Sequence, residues 1–226
     1  MDTQAVWSGV RERVIAVVEA ERRARGQGPS QLPVFEPVLS AAEIAEVEAQ
    51  YGVALPHEYR TFLAEVGAGG TGPGVELTPL RRVGGIWVWD CDSFPLQLDP
   101  GRPFVETEAW AEQQRATLRA AGREPTTRDP DDDYLDDYLE AFGEAGMEAF
   151  IFERVRGAIL ICENGCGLTS WLIIVGPRSG ELRDRDCAFN PPFDPYLDVH
   201  GNRHTFRTWY LEWLEQFESK ARHRER

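Results

Sequence analysis

A chain of 226 residues with 42% hydrophobic residues, 7 Trp and 11 Phe can bury a core without disulfide or metal staples, and is too apolar to remain unfolded. Its formal net charge of -14, from 38 acidic and 24 basic residues, argues against nucleic acid or an anionic membrane as the ligand and makes a basic partner the natural complement. The same charge also serves plain solubility.

Four cysteines, Cys91, Cys162, Cys166 and Cys187, are too few and too scattered for a disulfide framework. The opening MDTQAVWSGVRERV has no signal-peptide core and no apolar run reaches bilayer-spanning length, so a cytoplasmic protein with reduced thiols is expected.

Residues 3 to 24 place Val6, Val10, Val14, Val17 and Val18 at helical spacing beside Trp7, which predicts an amphipathic helix stopped near Gly26. The Gly- and Pro-rich stretch to Pro37 is a linker that lets this helix dock or move. Ser40 and Glu43 form an S-x-x-E capping box for a second helix, with Ile44, Val47 and Tyr51 on one face and Gly52 at its end. Pro56 opens a third, whose buried stripe is Tyr59, Phe62, Leu63 and Val66. After a Gly67–Gly74 loop, read as a flexible approach to a hairpin, two strands are expected over Val75–Leu80 and Ile86–Trp89, with Trp87 and Trp89 sharing a face. A helix near 106–120 reads as peripheral, since Trp110 and Leu118 are almost its only apolar residues.

The stretch 122–146 interleaves carboxylates with Tyr134, Leu135, Tyr138, Leu139 and Phe142, and becomes an acidic helix from about Asp133. Next come two apolar runs, Ala158–Cys162 and Leu168–Val175, around a turn holding Gly165 and Gly167, then a turn from Gly176 to Gly180 into Glu181–Asp186. Together they predict a small antiparallel meander. Ile173, Ile174 and Val175 in series imply a strand covered on both faces. Thr205 caps a last helix bearing Phe206, Trp209, Trp213, Leu214 and Phe217.

Three blocks in order, LSAAEIAEVEAQYGVALPHEYRTFLAEVGAGG, ENGCGLTSWLIIVGPRSGELRD and TFRTWYLEWLEQ, resemble the SUKH superfamily over residues 39 to 217. The markers are Leu55, Pro56, Tyr59, Phe62 and Leu63, then Gly165, Cys166, Gly167, Gly176 and Gly180, then Trp209; most of these are structural. The resemblance implies an α+β fold, a twisted, mostly antiparallel sheet with helices packed on it, here with an extra N-terminal helix. It divides the chain into a helix and linker (1–30), one SUKH-like domain (31–220) with an acidic helical insertion near 122–149, and a frayed tail (221–226). The chain departs from the family after Gly180, where an apolar or aromatic residue is usual and this chain has the charged Glu181–Asp186, which is expected to form a solvated edge.

In bacteria the resemblance implies a non-enzymatic immunity protein that binds a cognate polymorphic toxin, often a nuclease, and occludes its active site. Asp131, Asp132, Asp133, Asp136, Asp137 and Asp184 would then speed the encounter with a basic toxin, and Tyr134 and Tyr138 would fix the docked pose. The alternative for this acidic stretch is an ordinary solvated face. Two other functions stay open: a regulatory module binding a cellular protein, and a hydrolase using Cys166 with His200 or His204 as base and Glu163 or Asp194 orienting it. No cofactor or metal is expected, because Cys162 and Cys166 are spaced C-x3-C and the acidic run lacks the glycine of a calcium loop.

Overall fold

The computed structural model describes residues 7–28, 33–91, 99–104, 108–125, 134–165, 168–186 and 194–224. Among them, six helices surround a five-stranded antiparallel sheet and a separate two-stranded hairpin. This is the α+β architecture expected.

The first helix, α1 (Val10–Ala24), buries Val10, Val14 and Val17, and Gly26 at φ 66° ends it. It is docked. Trp7, just before it, sits edge-on to Phe62, Phe206 and Tyr210 at centroid distances of 5.1, 5.8 and 5.9 Å, and its indole N–H donates to the Glu58 carbonyl at 3.0 Å. Arg13 grips Glu218 through two N–H···O contacts of 2.8 and 3.0 Å.

In α2 (Ala41–Tyr51) the capping box forms as predicted, with Ser40 and Glu43 bonded reciprocally, and Gly52 closes the helix in the left-handed region. Pro56 is the residue before α3 (His57–Glu65), where its missing N–H leaves nothing unpaired.

The single strand expected over Val75–Leu80 is two. β1 (Glu76–Leu77) joins the large sheet, while β2 (Leu80–Val83) pairs with β3 (Ile86–Trp89) across a turn of Gly84 and Gly85 at φ 60° and 87°. Pro79 lies between them and cannot donate to a ladder, so the strand must break there. Gln50 and Tyr51 of α2 cap the outer edge of β3: the Gln50 amide both donates to and accepts from the Trp87 backbone, at 2.7 and 2.9 Å. The Gly67–Gly74 loop is packed rather than loose, since a Cβ on Gly70 would lie 2.6 Å from the Val34 carbonyl oxygen.

The large sheet runs in the order β1, β4 (Ala158–Gly165), β5 (Leu168–Ile173), β6 (Leu182–Asp186), β7 (Asp194–Pro195). The expected meander is β4 to β6. Both faces are covered: Ile159, Ile161, Leu172, Ile174 and Leu182 pack beneath α1, α2, α3 and the C-terminal helix, while Ala158, Leu160, Trp171 and Ile173 pack with Phe104 and Val155. β6 is not the solvated edge its charges suggested. It lies between β5 and β7, with Leu182 and Arg183 buried. Arg183 tolerates burial because its guanidinium lies 5.6 Å over the Phe104 ring and 3.3 Å from Glu181.

Helices α4 (Glu108–Ala120) and α5 (Leu135–Val155) close on each other around a third core of Trp110, Ala111, Leu118, Tyr134, Tyr138 and Phe150. α4 is therefore half of a hairpin with a core of its own, apart from the main one. α5 breaks at Gly143, whose φ of 71° and ψ of -172° no helix contains. The last helix, α6 (Phe206–Arg224), starts with Thr205 and Thr208 bonded reciprocally and continues past the point where fraying was expected to begin, Arg224 reaching Glu21 at 2.6 Å.

Candidate functional site

The acidic helix is built from the inside out. α5 begins with Asp136 and Asp137 in its first turn, where the helix dipole favours carboxylates. A helix pointing one side at a partner splits such a pair, and the two part company here. Asp137 is fully buried, 3.0 Å from Arg123 Nε, and the same guanidinium reaches Glu140 at 2.5 Å. Asp136 points to solvent.

The two tyrosines expected to present themselves to a partner face inward. Tyr134 and Tyr138 are 2% and 7% exposed. The Tyr138 ring stacks on Phe150 at 4.5 Å and its hydroxyl donates to Gln114 Oε1 at 2.6 Å, while Arg115 donates to the Tyr134 hydroxyl at 3.3 Å. The physical reason is that α4 offers buried polar groups, Gln114 and Arg115, which satisfy phenolic hydroxyls in a core. The apolar residues that α5 does expose are Leu139 and Phe142, 40% and 41% accessible, flanked by Asp136, Glu140 and Glu144. Asp131, Asp132 and Asp133 lie outside the described residues.

Asp184 is elsewhere, on β6, and its carboxylate is engaged. It accepts from Ser170 Oγ at 2.8 Å, which in turn accepts from Asn164 Nδ2 at 2.9 Å. Burial, with Asp184 adding to it, holds the nearby Tyr196 hydroxyl above its ordinary range.

Of the family markers, Leu55, Tyr59, Phe62, Leu63 and Trp209 are buried in the main core, and Tyr59 accepts from the Trp89 indole at 3.0 Å. Pro56 sits at the α3 start within reach of Gly180, whose φ of 94° needs glycine; Gly165 and Gly176, at 85° and 110°, carry turns in the same way. Cys166 and Gly167 lie outside the described residues.

Of the residues weighed for catalysis, Cys166 lies outside the described residues, and Glu163 accepts from the Cys91 thiol at 2.8 Å. His204 is buried, with Nε2 3.2 Å from Glu212 and Nδ1 3.1 Å from Thr208. The Cys162 thiol donates to the Pro73 carbonyl at 2.6 Å, and burial pushes its pKa up to about 12. Among the described residues no group of three or more His, Cys, Asp or Glu side chains is placed to hold a metal ion, and no helix is long and apolar enough to cross a membrane.

A second acidic place has no local signal in the sequence. Glu76 on β1 stands directly opposite Glu163 on β4, and both line a cleft of about 280 Å³ with Val75, Thr78, Arg81, Asp90 and Cys91. The register of a two-residue strand leaves no periodicity to read.

The family model described as SMI1 / KNR4 (SUKH-1) matches residues 39–174. The chain belongs to the SUKH-1 family. The match runs from the residue before the capping box of α2 to the end of β5, so α1, β6, β7 and α6 lie beyond it. The SUKH-1 match thus stops short of residue 217, where the resemblance in the sequence ends. No curated protein and no solved structure matches the chain.

Proposed function

We propose that this SUKH-1 protein is a non-enzymatic immunity protein, which binds a basic polymorphic toxin domain and covers that toxin's active site. The observation that carries the reading is membership of a family known for immunity proteins in a chain of net charge -14. Long-range attraction between such a surface and a basic domain speeds encounter, and a nuclease that grips phosphate is basic where it works.

The outer side of α5 is the docking surface this reading favours. Asp136, Glu140 and Glu144 supply charge, and Leu139 and Phe142 supply apolar contact that a rim of carboxylates surrounds. In this reading the inward Tyr134, Asp137 and Tyr138 act by holding the helix in place. Asp131, Asp132 and Asp133 stay in the proposal as further charges just before the helix.

Capture of the product of the neighbouring gene by the tagged full-length protein, at low and at high salt, tests this. Stoichiometric capture of a basic toxin domain that is lost at high salt supports it. Recovery of a housekeeping protein in its place supports the regulatory reading.

A further inference from the structure

We propose that the shared C-terminal pole of α1 and α6 is a docking surface for a short acidic segment of another protein, a partner distinct from the basic toxin domain proposed above.

The two helices lie side by side and point the same way. Trp7, just before α1, meets Phe206 and Tyr210 at the start of α6, then Arg13 meets Glu218, and Glu21 meets Arg224 at 2.6 Å. Both helices therefore end together. Their ends carry the opposite charge to the chain as a whole. Residues 20–28 and 219–224 hold six Lys and Arg against one carboxylate, in a protein of 38 acidic and 24 basic residues. Arg23, Arg25, Lys220, Arg222 and Arg224 are exposed.

Local structure answers only part of this charge. Cations are favourable in the last turn of a helix, but each helix C-terminus carries only about half a negative charge. Arg25 and Arg224 share the buried carboxylate of Glu21, and Arg22 donates to the Gly28 carbonyl at 3.0 Å. Glu218 is gripped by Arg13, with Arg222 adding a weaker attraction. Among the described residues no ion pair holds Arg23 or Lys220. The pole thus stays positive after its internal partners are counted.

The size of the occupant follows from the charge around the pole. Guanidinium and ammonium groups bind carboxylates and phosphates alike. A nucleic acid or an anionic membrane extends past the pole and meets the acidic body of the chain, which repels it. A short run of Asp and Glu ends within the pole, and screening over about 8 Å at physiological salt hides the rest of the molecule from it. Shape adds a register. A cleft of about 260 Å³ opens at the end of α1, lined by Glu19, Arg22, Arg23, Gln27 and Gly28. Glu19 in its wall repels a carboxylate, so the side chain seated there is an uncharged one between acidic neighbours.

The test is a titration of the full-length protein with the peptide acetyl-Asp-Asp-Leu-Asp-Asp-amide, followed by the amide NMR signals of Gln27 and Ala221, with acetyl-Asn-Asn-Leu-Asn-Asn-amide as control. The expected result is a saturable shift with the acidic peptide and none with the neutral one. The double variant Arg23→Gln, Lys220→Gln should bind the acidic peptide about tenfold more weakly. Its Tm should stay within about 2 °C of wild type, because neither side chain has an internal ion pair to lose. Equal affinity for the two peptides, or for wild type and the double variant, would overturn the assignment. A short DNA duplex that shifts the same signals at lower concentration than the peptide would overturn it in favour of a nucleic acid. The same shifts on concentrating the protein alone would overturn it in favour of a second copy of this chain.

Discussion

Asp137 carries more structural weight than its position in an acidic run suggests. A carboxylate taken wholly out of water needs a cation, and Arg123 supplies it while staying about one-third exposed. Arg123→Met should therefore cost about 1–3 kcal/mol, from a buried charge that has lost a partner, read as a lower urea midpoint at unchanged slope. Asp136→Asn, one residue earlier and solvent-facing, should change stability by less than about 0.5 kcal/mol. Equal effects at the two positions would contradict the split between an inner and an outer carboxylate. Gly74 is a second such residue: a Cβ there would meet Asn164 Oδ1 at 2.4 Å and the Glu163 carbonyl at 2.6 Å, at a φ of 72°. Gly74→Ala should destabilise the fold by more than the about 1 kcal/mol of an ordinary strained turn, and its thermal midpoint checks this.

Elements differ in how far the sequence announces them, and the difference follows the reach of the contacts that make them. The α2 capping box is a matter of three residues, so it was legible, and Ser40→Ala should lower stability by about 1 kcal/mol in a thermal melt. The meander was legible for the same reason, its glycines and apolar runs being neighbours. α1 was legible as an amphipathic helix, but whether it docks depends on Trp7 meeting Phe62, Phe206 and Tyr210, and nothing near Trp7 in sequence says so. Trp7→Ala should cost about 3–5 kcal/mol and expose the α3 and α6 aromatics to a hydrophobic dye. The α4–α5 pair is the least legible in the sequence. Its core uses Gln114 and Arg115 as buried partners for two tyrosines, so a hydropathy pattern reads α4 as surface and the tyrosines as available. Of the acidic helix, Asp136 keeps the solvent-facing place foreseen for it, while the exposed Leu139 and Phe142 and the cleft of Glu76 and Glu163 emerge only from tertiary packing.

At the scale of the whole molecule, burial of neutral acids sets the alkaline limit. Burial raises the Cys162 thiol from an ordinary 9.0 to about 12, and it raises the Tyr59 and Tyr210 hydroxyls above their ordinary 10.0. The folded chain thus keeps protons that the unfolded chain gives up. Stability from these groups is complete below the unfolded values and declines as pH rises above them, by about 1.4 kcal/mol per pH unit for each group while it is ionised only in the unfolded chain. Melting temperature should accordingly begin to drop near pH 9, and a Tm unchanged to pH 11 would contradict this account of the core.

The net charge of -14 acts at the same scale, biasing the SUKH-1 fold toward a basic partner before any side chain touches it. The most direct test of the central claim is growth of cells that express the product of the gene beside this one, a toxin under the proposed function, with and without this protein. The account predicts that growth is restored by wild type and reduced when Asp136 and Glu140 are changed to lysine, with the variant still folded. Cells that die equally with and without the protein would contradict it.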